Sequence, residues 1–202
     1  MKREIYELVK LLYDVVCEDC KYVFIGGSYC SKLFSTSHDI DVIFVFEDKD
    51  TKIQGYRKMK KVENVLQILQ STYNTVVIPV TLEHIQKLKV YSYLYKYYDN
   101  LDWFLFGSME EFNKNIPDIL ENRENYLTIL KDTLDWVLKY QEKHLLIPKG
   151  LYHVLTGIYI IKNNSYNLSE VEIQNINICH SYNQNEEKQK LLDYCKSYLN
   201  EK

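Results

Sequence analysis

Two acids on one face of a strand constrain this chain more than anything else in it. Residues 39–46, Asp-Ile-Asp-Val-Ile-Phe-Val-Phe, alternate as a β-strand, with Ile40, Val42, Phe44 and Phe46 on one face. Asp39, Asp41, Ile43 and Val45 form the other face. Beyond Asp41 both faces are apolar, which suits a central strand covered on two sides. The two carboxylates repel each other, and burying them unpaired costs several kcal/mol. A divalent cation is the ordinary remedy, because Mg2+ takes a few carboxylates and completes its shell with waters and phosphate oxygens.

The complementary half lies just upstream. Lys21 to Ile25 reads as a short strand stopped by Gly26-Gly27-Ser28, and Tyr29 to Phe34 suits one or two helical turns. Glycines let the backbone approach a ligand closely, exposed N–H groups bind anions, and the Ser28 hydroxyl adds a donor. A triphosphate held at Gly26, Gly27 and Ser28 would bridge to metal on Asp39 and Asp41.

Around this centre the apolar spacing predicts a helix over 3–18, a helix over 52–71 and a strand at 75–81. Pro79 assigns that last strand to a sheet edge or a bulge. A helix over 83–98 and a short strand over 101–106 follow. From Met109 onward no strand pattern survives, and helices are expected at 110–115, 118–144, 148–162, 169–180 and 186–200. Pro148 suits a first helical residue, and Ser169 with Glu172 fits a capping box. The fold class is therefore α+β, a small mixed sheet flanked by helices followed by an all-helical bundle, with the boundary near 107–117.

Composition closes off several functions. At 202 residues, 46% apolar and 26% charged, the chain reads as an ordinary globular protein of one large or two small domains. A net charge of −3 gives no global attraction to nucleic acid or anionic lipid. No apolar run approaches the roughly 20 residues that span a bilayer. The N-terminal MKREIYELVKLLYDVV carries acids in its apolar stretch and has no small-residue cleavage site, so it does not read as a signal peptide. The default expectation is a cytoplasmic protein with no membrane partner, its five cysteines present as free thiols.

Gly27-Ser28, ten intervening residues, then Asp39-Ile40-Asp41-Val42 resembles the signature of the DNA polymerase β-type nucleotidyltransferase superfamily, particularly its small bacterial and archaeal members. His38 stands where Ser is common, and Lys32 where those members often have Gly. The resemblance implies a catalytic domain over 1–108 and a helical domain over 109–202 that closes the cleft. It also implies metal-dependent transfer of a nucleoside monophosphate from an NTP to an acceptor, with Mg2+ or Mn2+ on Asp39 and Asp41. Gly26, Gly27 and Ser28 would bind the nucleotide. The family adds a third carboxylate on the next strand, yet Thr75-Val-Val-Ile-Pro-Val-Thr81 has none. Glu83, just past its end, is the nearest acid, read either as the third metal ligand or as the first-turn acid of a helix. Without that third acid, the alternative is a degenerate protein that binds nucleotide or a partner, as an antitoxin or scaffold does. The acceptor (protein, RNA or small molecule), the base preference and the oligomeric state, a homo-oligomer included, are left open by the sequence.

Other features carry less. Cys17-x-x-Cys20 with Cys30 and His38 lacks zinc-site spacing. Tyr91, Tyr95 and Tyr98 read as packing residues rather than base-stacking platforms. Residues 57–61, Arg-Lys-Met-Lys-Lys, read as a solvated helix face. His153 reads as a satisfied interior histidine, and Lys149 and Tyr152 as neighbours of a cleft with no further support.

Overall fold

A computed structural model describes residues 3–34, 39–98 and 103–202. The chain begins with helix α1 (Arg3–Val16), strand β1 (Cys20–Gly26) and a single 3₁₀ turn, Gly27–Tyr29. Strand β2 (Ile40–Phe46), helices α2 (Lys49–Lys60) and α3 (Glu63–Tyr73), strand β3 (Thr75–Thr81) and helix α4 (Leu82–Gln86) follow. After a 3₁₀ stretch, Ser92–Tyr97, come β4 (Phe104–Phe106), α5 (Met109–Asn115) and four longer helices. These are α6 (Arg123–His144), α7 (Leu151–Asn163), α8 (Glu170–His180) and α9 (Glu186–Asn200). The protein is α+β, with a mixed four-stranded sheet and a helical C-terminal region.

The described strands run in the order β3-β2-β1-β4, so the acid-bearing strand β2 is internal and the Pro79 strand is an edge. β2 is antiparallel to β1 and parallel to β3, and β1 is antiparallel to β4. Pairing Val23 with Phe44 and Ile25 with Val42 puts all four on one face, where each is buried. On that side Tyr6 and Tyr13 of α1 stack on Phe106, with centroids 5.7 and 4.2 Å away. The other face is sealed over Tyr22 and Phe24 by Trp103, Phe104 and Phe112. Those rings meet tilted or edge-on at 4.8–6.3 Å, the arrangement their quadrupoles favour.

Several elements differ from the sequence expectation. The expected helix over 52–71 is two helices, α2 and α3, that turn at Lys61–Val62. A straight helix would set Leu69 about 80° around the axis from Met59, and the turn allows both to be fully buried. The expected helix over 83–98 stops at Gln86 and resumes as the 3₁₀ stretch. There Ser92, Tyr93, Leu94 and Tyr97 are buried. The last strand is seen only from Phe104, and residues 101–102 fall outside the described set. Pro148 begins a turn, Leu151 N–H donating to its carbonyl at 3.3 Å, and α7 itself starts at Leu151. The capping box is present, with Ser169 accepting from the Glu172 N–H at 3.3 Å and Glu172 from the Ser169 N–H at 2.8 Å.

The chain divides into two compact units. One comprises Met1–Lys32, Thr36–Lys87 and Tyr97–Ile116 and contains the sheet. The other comprises Leu33–Ser35, Leu88–Lys96 and Pro117–Lys202. The helical unit therefore takes in two short pieces of the N-terminal half. Among the described residues, no helix is long and apolar enough to cross a membrane.

α2 lies so close to β2 that a methyl at Gly55 would overlap the fully buried Phe46 ring. Alanine ordinarily gains about 1 kcal/mol over glycine inside a helix. Overpacking against a rigid ring costs about 1–3 kcal/mol, so here the clash wins. Gly55→Ala is expected to lower stability in urea unfolding; a gain in stability would show that α2 does not rest on Phe46 as described.

Candidate functional site

The two halves of the Gly-Ser and Asp-x-Asp pattern are neighbours across a strand pair. β1 runs antiparallel to β2 with Gly26 opposite Asp41, so the residues that end β1 lie beside those that begin β2. Gly27 then turns with φ +69°, a left-handed conformation that glycine adopts without cost. A Cβ built at Gly27 would lie 2.5 Å from Asp41 Oδ2. The carboxylate thus occupies space available only because residue 27 has no side chain. Gly26 meets the same limit from the next residue on that face, since a Cβ there would lie 2.5 Å from Ile43 Cδ1 and 3.6 Å from the Tyr98 hydroxyl.

Ser28 sits in the 3₁₀ turn, half-buried, its carbonyl accepting from the N–H groups of Cys30 and, at 3.4 Å, Ser31. Two further contacts hold the chain that leaves the turn: Ser31 bridges Tyr98, and the Lys32 N–H donates to the Tyr97 carbonyl at 3.1 Å. Asp39 is exposed just ahead of β2, while Asp41 is half-buried within it. Burial, and next the negative charge of Asp39, push the Asp41 carboxyl above its usual range.

Parallel pairing determines which residue neighbours Asp41 on the other side. Val76 of β3 is its partner, apolar and 41% exposed. Valine thus occupies the adjacent-strand position beside Asp41. Glu83 is not brought to the pair. β3 runs away from Asp41 to Thr81, whose partner is Phe46 at the far end of β2. Five residues at about 3.3 Å each separate Val76 from Thr81 by about 17 Å, and Glu83 lies beyond that. Glu83 is a first-turn acid of α4, paired with Lys87 at 2.5 Å.

The donor chemistry sets what the site can hold. Asp39 and Asp41 suit one divalent cation whose remaining ligands are waters and phosphate oxygens. They do not suit a second cation that needs its own carboxylate, because Val76 supplies no oxygen and Glu83 is remote. Among the described residues no group of three or more His, Cys, Asp or Glu side chains could hold a metal ion. His38 lies outside the described residues.

The remaining candidates have structural explanations. All five cysteines are free, with Cys17 exposed, Cys20 buried and Cys30 between these extremes. Burial pushes the Cys20 and Cys30 thiols up to about 12, unlike a reactive thiol. Within residues 57–61, Lys58 pairs with Asp19 at 2.6 Å and Lys60 with Glu63 at 3.9 Å. His153 Nδ1 lies 3.0 Å from the Tyr93 hydroxyl, and burial with the nearby His180 brings its pKa down to about 3. It is a neutral ring held by packing. Lys149 lies 3.9 Å over the Tyr182 ring, and Tyr152 packs on His153 and His180. Tyr98, expected as a packing residue, brings its hydroxyl within 3.6 Å of a Cβ built at Gly26.

The chain matches no family model, no curated protein and no solved structure.

The raised Asp41 pKa has a consequence for stability. Its folded-state pKa lies above the unfolded one, so the associated stability is present at low pH and is lost as pH rises through the folded pKa. Asp41→Asn, which removes the charge and keeps the shape, is expected to raise the melting temperature near neutral pH in cation-free buffer. The gain should disappear at about pH 3, where both states are protonated. An equal melting temperature for both proteins at neutral pH would contradict the strained carboxylate.

Proposed function

We propose that this chain is a metal-dependent nucleotidyltransferase, moving a nucleoside monophosphate from an NTP to an acceptor hydroxyl or phosphate with release of pyrophosphate. One observation carries the reading. Gly27, in a left-handed turn, is packed directly against the carboxylate of Asp41, which supports reading the turn as the phosphate site and the acid as the cation ligand. A polyanion and a pair of carboxylates tolerate each other there only with a cation between them.

Within this reading Asp39 and Asp41 hold the cation, and Gly26, Gly27 and Ser28 receive the triphosphate through close backbone approach and the Ser28 hydroxyl. A bound Mg2+ or Mn2+ supplies Lewis-acid polarisation of the phosphoryl oxygens and neutralises developing charge. The residues of this chain orient the α-phosphorus for in-line attack by holding the phosphates against the turn. The acceptor stays open among protein, RNA and small molecule.

Val76 favours a second reading. With an apolar residue beside Asp41 on β3, the site has one carboxylate fewer than the family pattern. A module that binds Mg-NTP without transferring it needs no more than Asp39, Asp41 and the turn.

Calorimetry with ATP, with Mg2+ and then with EDTA, tests binding, and equal affinity in both would remove the cation from the account. Transfer is tested by incubating the protein with each labelled NTP, Mg2+ or Mn2+, and cell extract. Asp41→Asn is expected to lower transfer by at least about 100-fold, roughly 2.7 kcal/mol of transition-state stabilisation. Glu83→Gln is expected to change it by less than about twofold, because Glu83 is separated from Asp41 by the length of β3. Cation-dependent binding without transfer from any NTP would leave the binding module as the function.

A further inference from the structure

One residue, Tyr98, meets the Gly-Gly-Ser turn at both of its ends. At the entrance its hydroxyl lies 3.6 Å from a Cβ built at Gly26, beside Ile43 Cδ1. Gly26 pairs with Asp41 and Phe24 with Ile43, so these four residues share one face of the β1–β2 pair, and the hydroxyl lies over it. At the exit Ser31 forms an antiparallel bridge with Tyr98, and the Lys32 N–H donates to the Tyr97 carbonyl at 3.1 Å. Ser31 and Tyr97 are both buried. The loop that carries Gly27 and Ser28 therefore leaves Tyr98 at Gly26 and returns to it at Ser31.

The Tyr98 ring is anchored in turn to the strand that delivers the loop. It meets Trp103 edge-on at 5.0 Å and 65°, and Trp103 meets Phe24 at 5.8 Å and 88°. Phe24 is fully buried on β1, two residues before Gly26. Every residue of this circuit lies within the sheet unit. A surface connection ordinarily satisfies its backbone with water and packs little. Residues 27–31 are instead closed at one end by strand pairing under a phenol ring and at the other by a backbone bridge to the same tyrosine.

We propose that Tyr98 is a positioning residue of the nucleotide site: it holds both ends of the 27–31 loop, so that the Gly27–Ser28 turn keeps, before any ligand arrives, the conformation that receives phosphate. It acts through the turn and touches no substrate. The inference rests on the nucleotide reading above. It adds that a residue outside the Gly-Ser and Asp-x-Asp pattern sets nucleotide affinity, because a loop fixed in advance loses less conformational freedom on binding.

Three variants test it, and all of them keep the backbone bridge to Ser31. Tyr98→Ala removes the ring, Tyr98→Leu keeps apolar volume beside Trp103 but is too short to reach Gly26, and Tyr98→Phe keeps the ring. The readouts are amide hydrogen exchange of residues 27–32 in nucleotide-free protein and calorimetric affinity for Mg-ATP. The Ala and Leu variants are expected to raise exchange in 27–32 by at least about tenfold while β1 keeps its protection. They should also weaken Mg-ATP by about tenfold, with Tyr98→Phe within about twofold of wild type in both readouts. If Tyr98→Ala alone loses the β1 protection, Tyr98→Leu decides. Loss of that protection in both variants makes Tyr98 a core residue and overturns the inference. Unchanged exchange in 27–32 overturns it as well, and so does a Phe variant as weak as Ala, which would give the hydroxyl a direct contact with the ligand. Wild-type protein that binds no Mg-ATP sinks the nucleotide reading and the positioning role with it, whereas undiminished binding in the Ala and Leu variants overturns the positioning role alone.

Discussion

The site depends on the approach of the Asp41 carboxylate to the Gly27 backbone. Any side chain at residue 27 would meet Oδ2 at 2.5 Å, and φ of +69° disfavours one in any case. The approach follows from the β1–β2 register, which sets Gly26 opposite Asp41. A shift by one residue would turn Asp41 and Ile43 to the face that holds Val42 and Phe44. The buried pairs Val23–Phe44 and Ile25–Val42 on one face and the ring cluster over Tyr22 and Phe24 on the other oppose that shift. Hydrophobic packing of the strands therefore determines where the acid stands.

An acid held in this way is costly by itself. Asp41 is half-buried, near a second carboxylate, and its pKa is raised. Perturbed carboxylates of this kind cluster at functional sites, where a ligand or cation offsets the cost. The neighbouring strand does not offset it, because Val76 has no charge to offer. This electrostatic imbalance adds to the Gly27–Asp41 approach on which the proposed nucleotide and cation site rests.

Much of the architecture was legible in the sequence. Period-2 alternation identified β2 and its two faces, helical spacing identified α1 and the C-terminal helices, and Pro79 pointed to an edge or a bulge for β3, which lies at an edge. What failed has a common cause: local patterns carry no information about spatial neighbours. The 52–71 helix looked continuous because its apolar spacing survives a turn that only packing requires. Glu83 looked near the acids because it follows the adjacent strand, but parallel pairing sends that strand's end away from Asp41. Within the helical unit, Asn177 donates to the Leu33 carbonyl and Phe34 packs on His180 across 144 and 146 positions, and nothing local in the sequence announces either contact.

The most direct test is the titration of the Asp41 carboxyl carbon by 13C NMR, without and with magnesium. The account predicts a pKa above the ordinary aspartate range in cation-free buffer and a fall below that range when magnesium is added. An ordinary aspartate pKa that magnesium leaves unchanged would contradict both the strained carboxylate and the cation site built on it.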